Sequence, residues 1–155
     1  MKKLIIDANL LLLYVIGLVD HGKYIGSSDR LKKYNKQDFD ILIRLIEPFK
    51  EVYVTPYIAT EVSNLIDLKG RIGEQVYDIF KILLNNLLLQ IESKFNEDSN
   101  SEFFTKFGLT DASLTILIND YYILTDDGPL CGILYGLKGD NVLQFQVVKH
   151  MDSLL

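Results

Sequence analysis

Carboxylates stand where runs of apolar residues end in this chain. LIIDANLLL (4–12) sets Asp7 directly behind a short hydrophobic stretch, and YILTDDGPL (122–130) runs another such stretch into Asp126 and Asp127. GLTDASL (108–114) puts Asp111 at the start of an apolar helix, and TPYIATEVSNL (55–65) carries Glu61 beside the stripe Ile58, Val62, Leu65 and Ile66. Taken singly, each aspartate has a plain structural use, as a helix cap or as a charge favoured by the helix dipole. Glu61 is harder to explain that way, because a glutamate at the margin of an apolar stripe is partly desolvated and wants a partner. The nearest cation downstream, Lys69, is eight residues away. Two like charges about 4 Å apart repel by roughly 4 kcal/mol at an effective dielectric of 20. If these acids converge, they must either take up protons or hold a divalent cation, and oxygen ligands alone favour Mg²⁺ or Mn²⁺ over zinc.

Convergence depends on the elements beneath them. KLII (3–6), EVYVT (51–55), YYILT (121–125) and NVLQF (141–145) read as short buried strands. Between them lie helical patterns: NLLLLYVIGL, apolar nearly all round; DFDILIRLIEPF, stopping at Pro48; a helix from Pro56 to about 67, started by Thr55-Pro56; a long apolar helix from about 72 to 91; a helix over 111–119 behind the Gly108 break; and DGPLCGILYGL. Residues 20–36 read as a polar loop with a basic cluster. Strands alternating with helices predict an α/β fold, a three-layer sandwich with a central parallel sheet flanked by helices, and one domain over 1–155. Ligands of such sheets bind beyond the carboxyl ends of the strands, which is where Asp7, Asp126 and Asp127 fall.

Bulk properties narrow the classes. With 155 residues, 48% of them hydrophobic and 24% charged, the chain builds one real core and is no disordered segment. The net charge of −5 means that any nucleic-acid contact must use a local basic patch. One cysteine, Cys131, excludes an internal disulfide and a cysteine-rich zinc site, and the two histidines, His21 and His150, are far apart and form no spaced ligand pair. MKKLIIDANLLLLYVIGLVD imitates a leader peptide, but Asp7 and Asn9 interrupt its apolar run and leave ten residues (10–19), too few to span a bilayer. No membrane association and a cytoplasmic, reducing location are expected.

The four acidic segments, in this order and over residues 4–130, resemble the PIN domain family of metal-dependent ribonucleases. The resemblance implies that Asp7, Glu61, Asp111 and Asp127 are the catalytic, metal-binding acids, with Asn9 and Thr125 supporting them. The family's Thr-x-Asp pattern selects Asp127, while its neighbour Asp126 stays open as the ligand. It further implies hydrolysis of phosphodiester bonds in single-stranded RNA with Mg²⁺ or Mn²⁺, a toxin role with an antitoxin or other regulatory partner protein, and pairing into homodimers.

The chain departs from the family in the length of the segment 20–40. It carries Lys23, Arg30, Lys32, Lys33 and Lys36 with Tyr24 and Tyr34 between them. Either this is a solvated loop, or Arg30, Lys32 and Lys33 bind RNA phosphates while the tyrosines stack on unpaired bases. Three other classes share some of these features. A haloacid-dehalogenase-type phosphatase needs a second Asp two residues after the first, where this chain has Asn9. A receiver domain needs a lysine after a late strand, and none follows YYILT. A catalytically inactive PIN-like module that binds RNA or protein remains open. The apolar surplus at Phe103, Phe104 and LLNNLLLQI serves either the core or an interface.

Overall fold

The computed structural model describes residues 2–153. Five parallel strands form one sheet in the order β3-β2-β1-β4-β5: β1 (Lys3–Ile6), β2 (Glu51–Val54), β3 (Leu88–Gln90), β4 (Tyr122–Thr125) and β5 (Val142–Gln144). β1 is central because its KLII run is buried on both faces; Leu4 and Ile5 have no exposed surface. Its register sets Leu4 between Val52 and Tyr122.

Among the described residues eight α-helices connect and cover the strands: α1 (Ala8–Gly17), α2 (Lys36–Ile46), α3 (Pro56–Leu65), α4 (Gly70–Asn86), α5 (Phe95–Asp98), α6 (Phe104–Leu117), α7 (Gly128–Lys138) and α8 (Phe145–Ser153). The chain is therefore an α/β protein with a central parallel sheet flanked by helices. α1 packs against α2, α3 and α4, which explains why its sequence is apolar nearly all round: Leu10, Leu11, Leu12 and Leu13 are all buried. α6 packs with α7. It also touches α3; by the right-handed rule for parallel crossovers, connections running from β1 toward β3 and those running toward β5 are expected to take opposite faces of the sheet. No helix among the described residues is long and apolar enough to cross a membrane.

Three elements differ from the sequence reading. The apolar run after residue 86 leaves the helix and becomes β3, pairing Leu88, Leu89 and Gln90 with Val52, Tyr53 and Val54. Three residues hold too little periodicity to separate a strand from helix; the unpaired edge of β2 decides. After β5 the chain continues as α8, which the sequence reading omitted. Phe145 opens it fully buried, edge-on to Tyr34 at 6.1 Å between ring centroids, and Lys149 pairs with the buried Asp38 of α2. Residues 20–36 form no loose loop. They fold into three short 3-10 turns (Val19–Gly22, Ile25–Ser27 and Asp29–Leu31) whose Ile25 and Leu31 enter the core, as does Tyr34 just beyond them. Of the apolar surplus, Leu83, Leu88 and Ile91 join the core, while Leu84, Leu87 and Leu89 are exposed.

The crossing of α1 and α2 makes a sharp demand at Gly17, where an added Cβ would lie 2.1 Å from the Phe39 ring. Alanine ordinarily stabilises a helix over glycine by about 1 kcal/mol, whereas overpacking a rigid core costs about 1–3 kcal/mol. The clash wins. Gly17→Ala should therefore lower the unfolding free energy in urea by up to about 2 kcal/mol, and a rise would show that this crossing is looser than described.

Candidate metal centre

β1 and β4 are neighbours whose outgoing connections run to opposite sides of the sheet, so a crevice opens between their carboxyl ends. Asp7 and Asp127 stand at that crevice. Asp7 caps α1: its Oδ1 accepts the Ala8 N–H at 2.8 Å. Its Oδ2 accepts the hydroxyl of Thr125, a residue with no exposed surface, at 2.7 Å. The same Thr125 oxygen accepts the Asp127 N–H at 3.2 Å, and Asp127 Oδ1 caps α7 by accepting the Leu130 N–H at 3.0 Å. Capping and site-building are thus one arrangement, in which hydrogen bonds fix how both carboxylates are held.

Asp126 faces elsewhere. Its Oδ2 accepts the Tyr34 hydroxyl at 2.5 Å and the Gln146 amide at 3.3 Å, and lies 3.0 Å from Lys33 Nζ. Successive residues of extended backbone point in opposite directions, so the chain leaving β4 can offer the crevice only one of its two adjacent aspartates. The structure brings Asp127 there, while the Asp126 side chain is engaged by Tyr34, Lys33 and Gln146.

Glu61 comes from α3 and Asp111 from α6, two helices in contact. Both line, with Asp7, Asn9 and Asp127, an open cavity of about 560 Å³ that no Lys, Arg or His among the described residues lines. Burial is the first cause that pushes the Asp111 carboxyl up to about 7, and the charges of Asp7, Asp127 and Glu61 add to it. Glu61 rises for the same reasons, desolvation first and then Asp7 and Asp127. Asp7 is raised by burial against the opposing effect of the Thr125 hydroxyl. For Glu61 and Asp111 no hydrogen bond offsets the rise. The donor set therefore fits a hard divalent cation in chemistry and in charge. It is not gathered: among the described residues no group of three or more His, Cys, Asp or Glu side chains stands arranged to hold a metal ion. Mutual repulsion opposes closer approach of such carboxylates, and a cation would relieve it.

The basic segment supplies nothing to this cavity. Lys33 is committed to Asp126, and Lys32 forms an exposed pair with Asp29 at 3.7 Å. The Arg30 backbone N–H and the Ser28 hydroxyl bond to Asp67, at 3.2 and 2.7 Å. Tyr34 is buried and unable to stack on a base, in contrast to the sequence reading; Tyr24 stays half-exposed beneath Lys23. Sequence reasoning missed Tyr57, Thr60, Asn64 and Phe107, which also line the cavity. Tyr57, Thr60 and Asn64 were findable, since they lie four before, one before and three after Glu61 and so share its helix face.

No family model matches the chain, and no curated protein or solved structure matches it.

A carboxyl whose folded-state pKa exceeds its unfolded value binds more protons when folded. Stability then falls as pH rises from the unfolded value of 3.8 to about 7. Asp111→Asn should remove that loss, raising the unfolding free energy at pH 8 without divalent ions by about 1–2 kcal/mol after allowance for solvent screening, with little gain at pH 4. Urea titrations at the two pH values measure it; an equal effect at both would show that Asp111 does not feel its neighbours. Tyr34→Phe leaves Asp126 short of one donor and should cost about 1–3 kcal/mol in the same titration.

Proposed function

We propose that this chain is a PIN-like, divalent-metal-dependent endoribonuclease that hydrolyses phosphodiester bonds of single-stranded RNA. One observation carries the reading: four carboxylates from four separate elements line one cavity at the switch point of a parallel sheet, and no Lys, Arg or His among the described residues lines it. Asp7, Glu61, Asp111 and Asp127 would hold Mg²⁺ or Mn²⁺, with Asn9 at the same wall. When bound, the ion supplies counter-charge and Lewis acidity toward a phosphodiester.

The chain's own residues do the rest. The Thr125 hydroxyl holds Asp7 in one orientation, and the Leu130 N–H holds Asp127. Asp111, raised to about 7, carries a proton in much of the protein near neutral pH while the cluster lacks a counter-ion, and gives it up when one arrives. Cation uptake should thus weaken as pH falls below about 7. Asn9 at the cavity wall cannot donate a proton as an acid would, which disfavours a haloacid-dehalogenase-type phosphatase.

The spread of the carboxylates favours one second reading, an inactive PIN-like module that binds RNA or protein. Cleavage of a labelled single-stranded RNA with and without Mn²⁺ separates the two. The expected result is Mn²⁺-dependent cutting that Asp7→Asn or Asp111→Asn reduces by at least about 100-fold, exceeding the usual loss for an outer-shell partner, while the fold persists by circular dichroism. Mn²⁺ raising the melting temperature with no cutting selects the binding module. Both variants cutting like the parent removes these residues from the reaction.

A further inference from the structure

We propose that the aromatic side of the cavity, formed by Tyr57 and Phe107, is a stacking slot for one unpaired nucleobase of the strand whose phosphodiester lies at the carboxylates. The inference rests on the ribonuclease reading and extends it to how the substrate is gripped.

At about 560 Å³ the cavity has the size of a small-molecule pocket, far more than a hydrated ion requires. Its lining divides chemically. Asp7, Glu61, Asp111 and Asp127 make it acidic, while Tyr57, Leu65, Phe107 and Leu109 make it apolar. The division follows a repeated spacing. Tyr57 precedes Glu61 by four residues on α3, so the two share a helix face about 6 Å apart along the axis. Phe107 precedes Asp111 by the same four residues on α6, across the break at Gly108, whose φ is 83°. α3 and α6 are in contact, so two aromatic-then-acidic pairs from different elements meet at one cavity. A nucleotide has the matching layout, a charged phosphate and a flat apolar base joined by a short sugar.

Two further contacts suit this use. The Tyr57 hydroxyl donates to Asp98 Oδ2 at 2.6 Å, which ties down the phenol and leaves the ring as a pre-set surface. Lys106, exposed, holds its Nζ over the Phe107 ring, 5.6 Å from its centroid, so one face of that ring carries a cation within reach of a flanking phosphate and the base would stack on the other. A base in a duplex would have to leave its stack to enter, so the slot selects unpaired strands with little sequence preference.

The test compares the parent with Phe107→Ala, Phe107→Leu and Phe107→Tyr. The leucine variant keeps apolar volume and loses only the π face. KM and kcat for a single-stranded oligoribonucleotide are measured with Mn²⁺, alongside Mn²⁺ affinity by calorimetry; if the parent binds the strand without cutting, its Kd stands in for KM. The slot predicts KM higher by about tenfold or more for alanine and leucine, recovery with tyrosine, unchanged Mn²⁺ affinity, and no gap between parent and alanine variant on a strand of abasic sites. A leucine variant matching the parent's KM overturns the slot, as does an equal KM rise on the abasic strand. A parent that neither takes up Mn²⁺ nor engages RNA removes the ribonuclease reading itself, and the slot with it.

Discussion

Negative charge concentrated at a sheet's switch point is the constraint around which this molecule is arranged. Four carboxylates share a cavity without one basic side chain in its lining, and burial with mutual repulsion raises the pKa of Asp7, Glu61 and Asp111. Such a cluster opposes folding unless the elements bearing it are held by something stronger. The buried leucines of α1 answer this. Each side chain taken fully out of water contributes about 1.5–3 kcal/mol, and Leu10–Leu13 lie within the two turns after Asp7. The apolar run that follows Asp7 is thus what anchors the first acid.

Thr125 explains how the cluster can be both structural and chemical. Its hydroxyl gives its proton to Asp7 and its lone pair to the Asp127 N–H, so one buried oxygen couples the ends of β1 and β4. Capping occupies one oxygen of each aspartate and so limits how either can turn. A helix cap and a metal ligand place similar demands on an aspartate: both need a carboxylate at the end of a strand, aimed along the entering helix.

The long segment between α1 and α2 takes on a different meaning once folded. Its cations and tyrosines allowed either a solvated loop or a patch for RNA phosphates; in the fold Tyr34 and Lys33 hold Asp126, while Ser28 and the Arg30 backbone hold Asp67. With Gln146 of α8 also on Asp126, the segment braces the β4–α7 turn from behind. The aromatic rings lining the cavity come instead from α3 and α6.

Local rules were enough to read much of this from the sequence. Apolar runs ending in acids marked two of the strand ends, Thr55-Pro56 marked the start of α3, and alternating periodicities marked a parallel α/β sheet, because each depends only on neighbours along the chain. Which of Asp126 and Asp127 faces the cavity was not readable, since it follows from the direction in which the backbone leaves β4. Nor were β3 and the fate of the basic segment, because a three-residue strand exists only where an edge awaits it and a lysine is spent only where a buried aspartate meets it. The sequence determined the types of the reacting groups and the elements that carry them. Tertiary structure alone decided which of those groups share a cavity, since sharing it is a matter of distance through space between residues up to 120 positions apart in the chain.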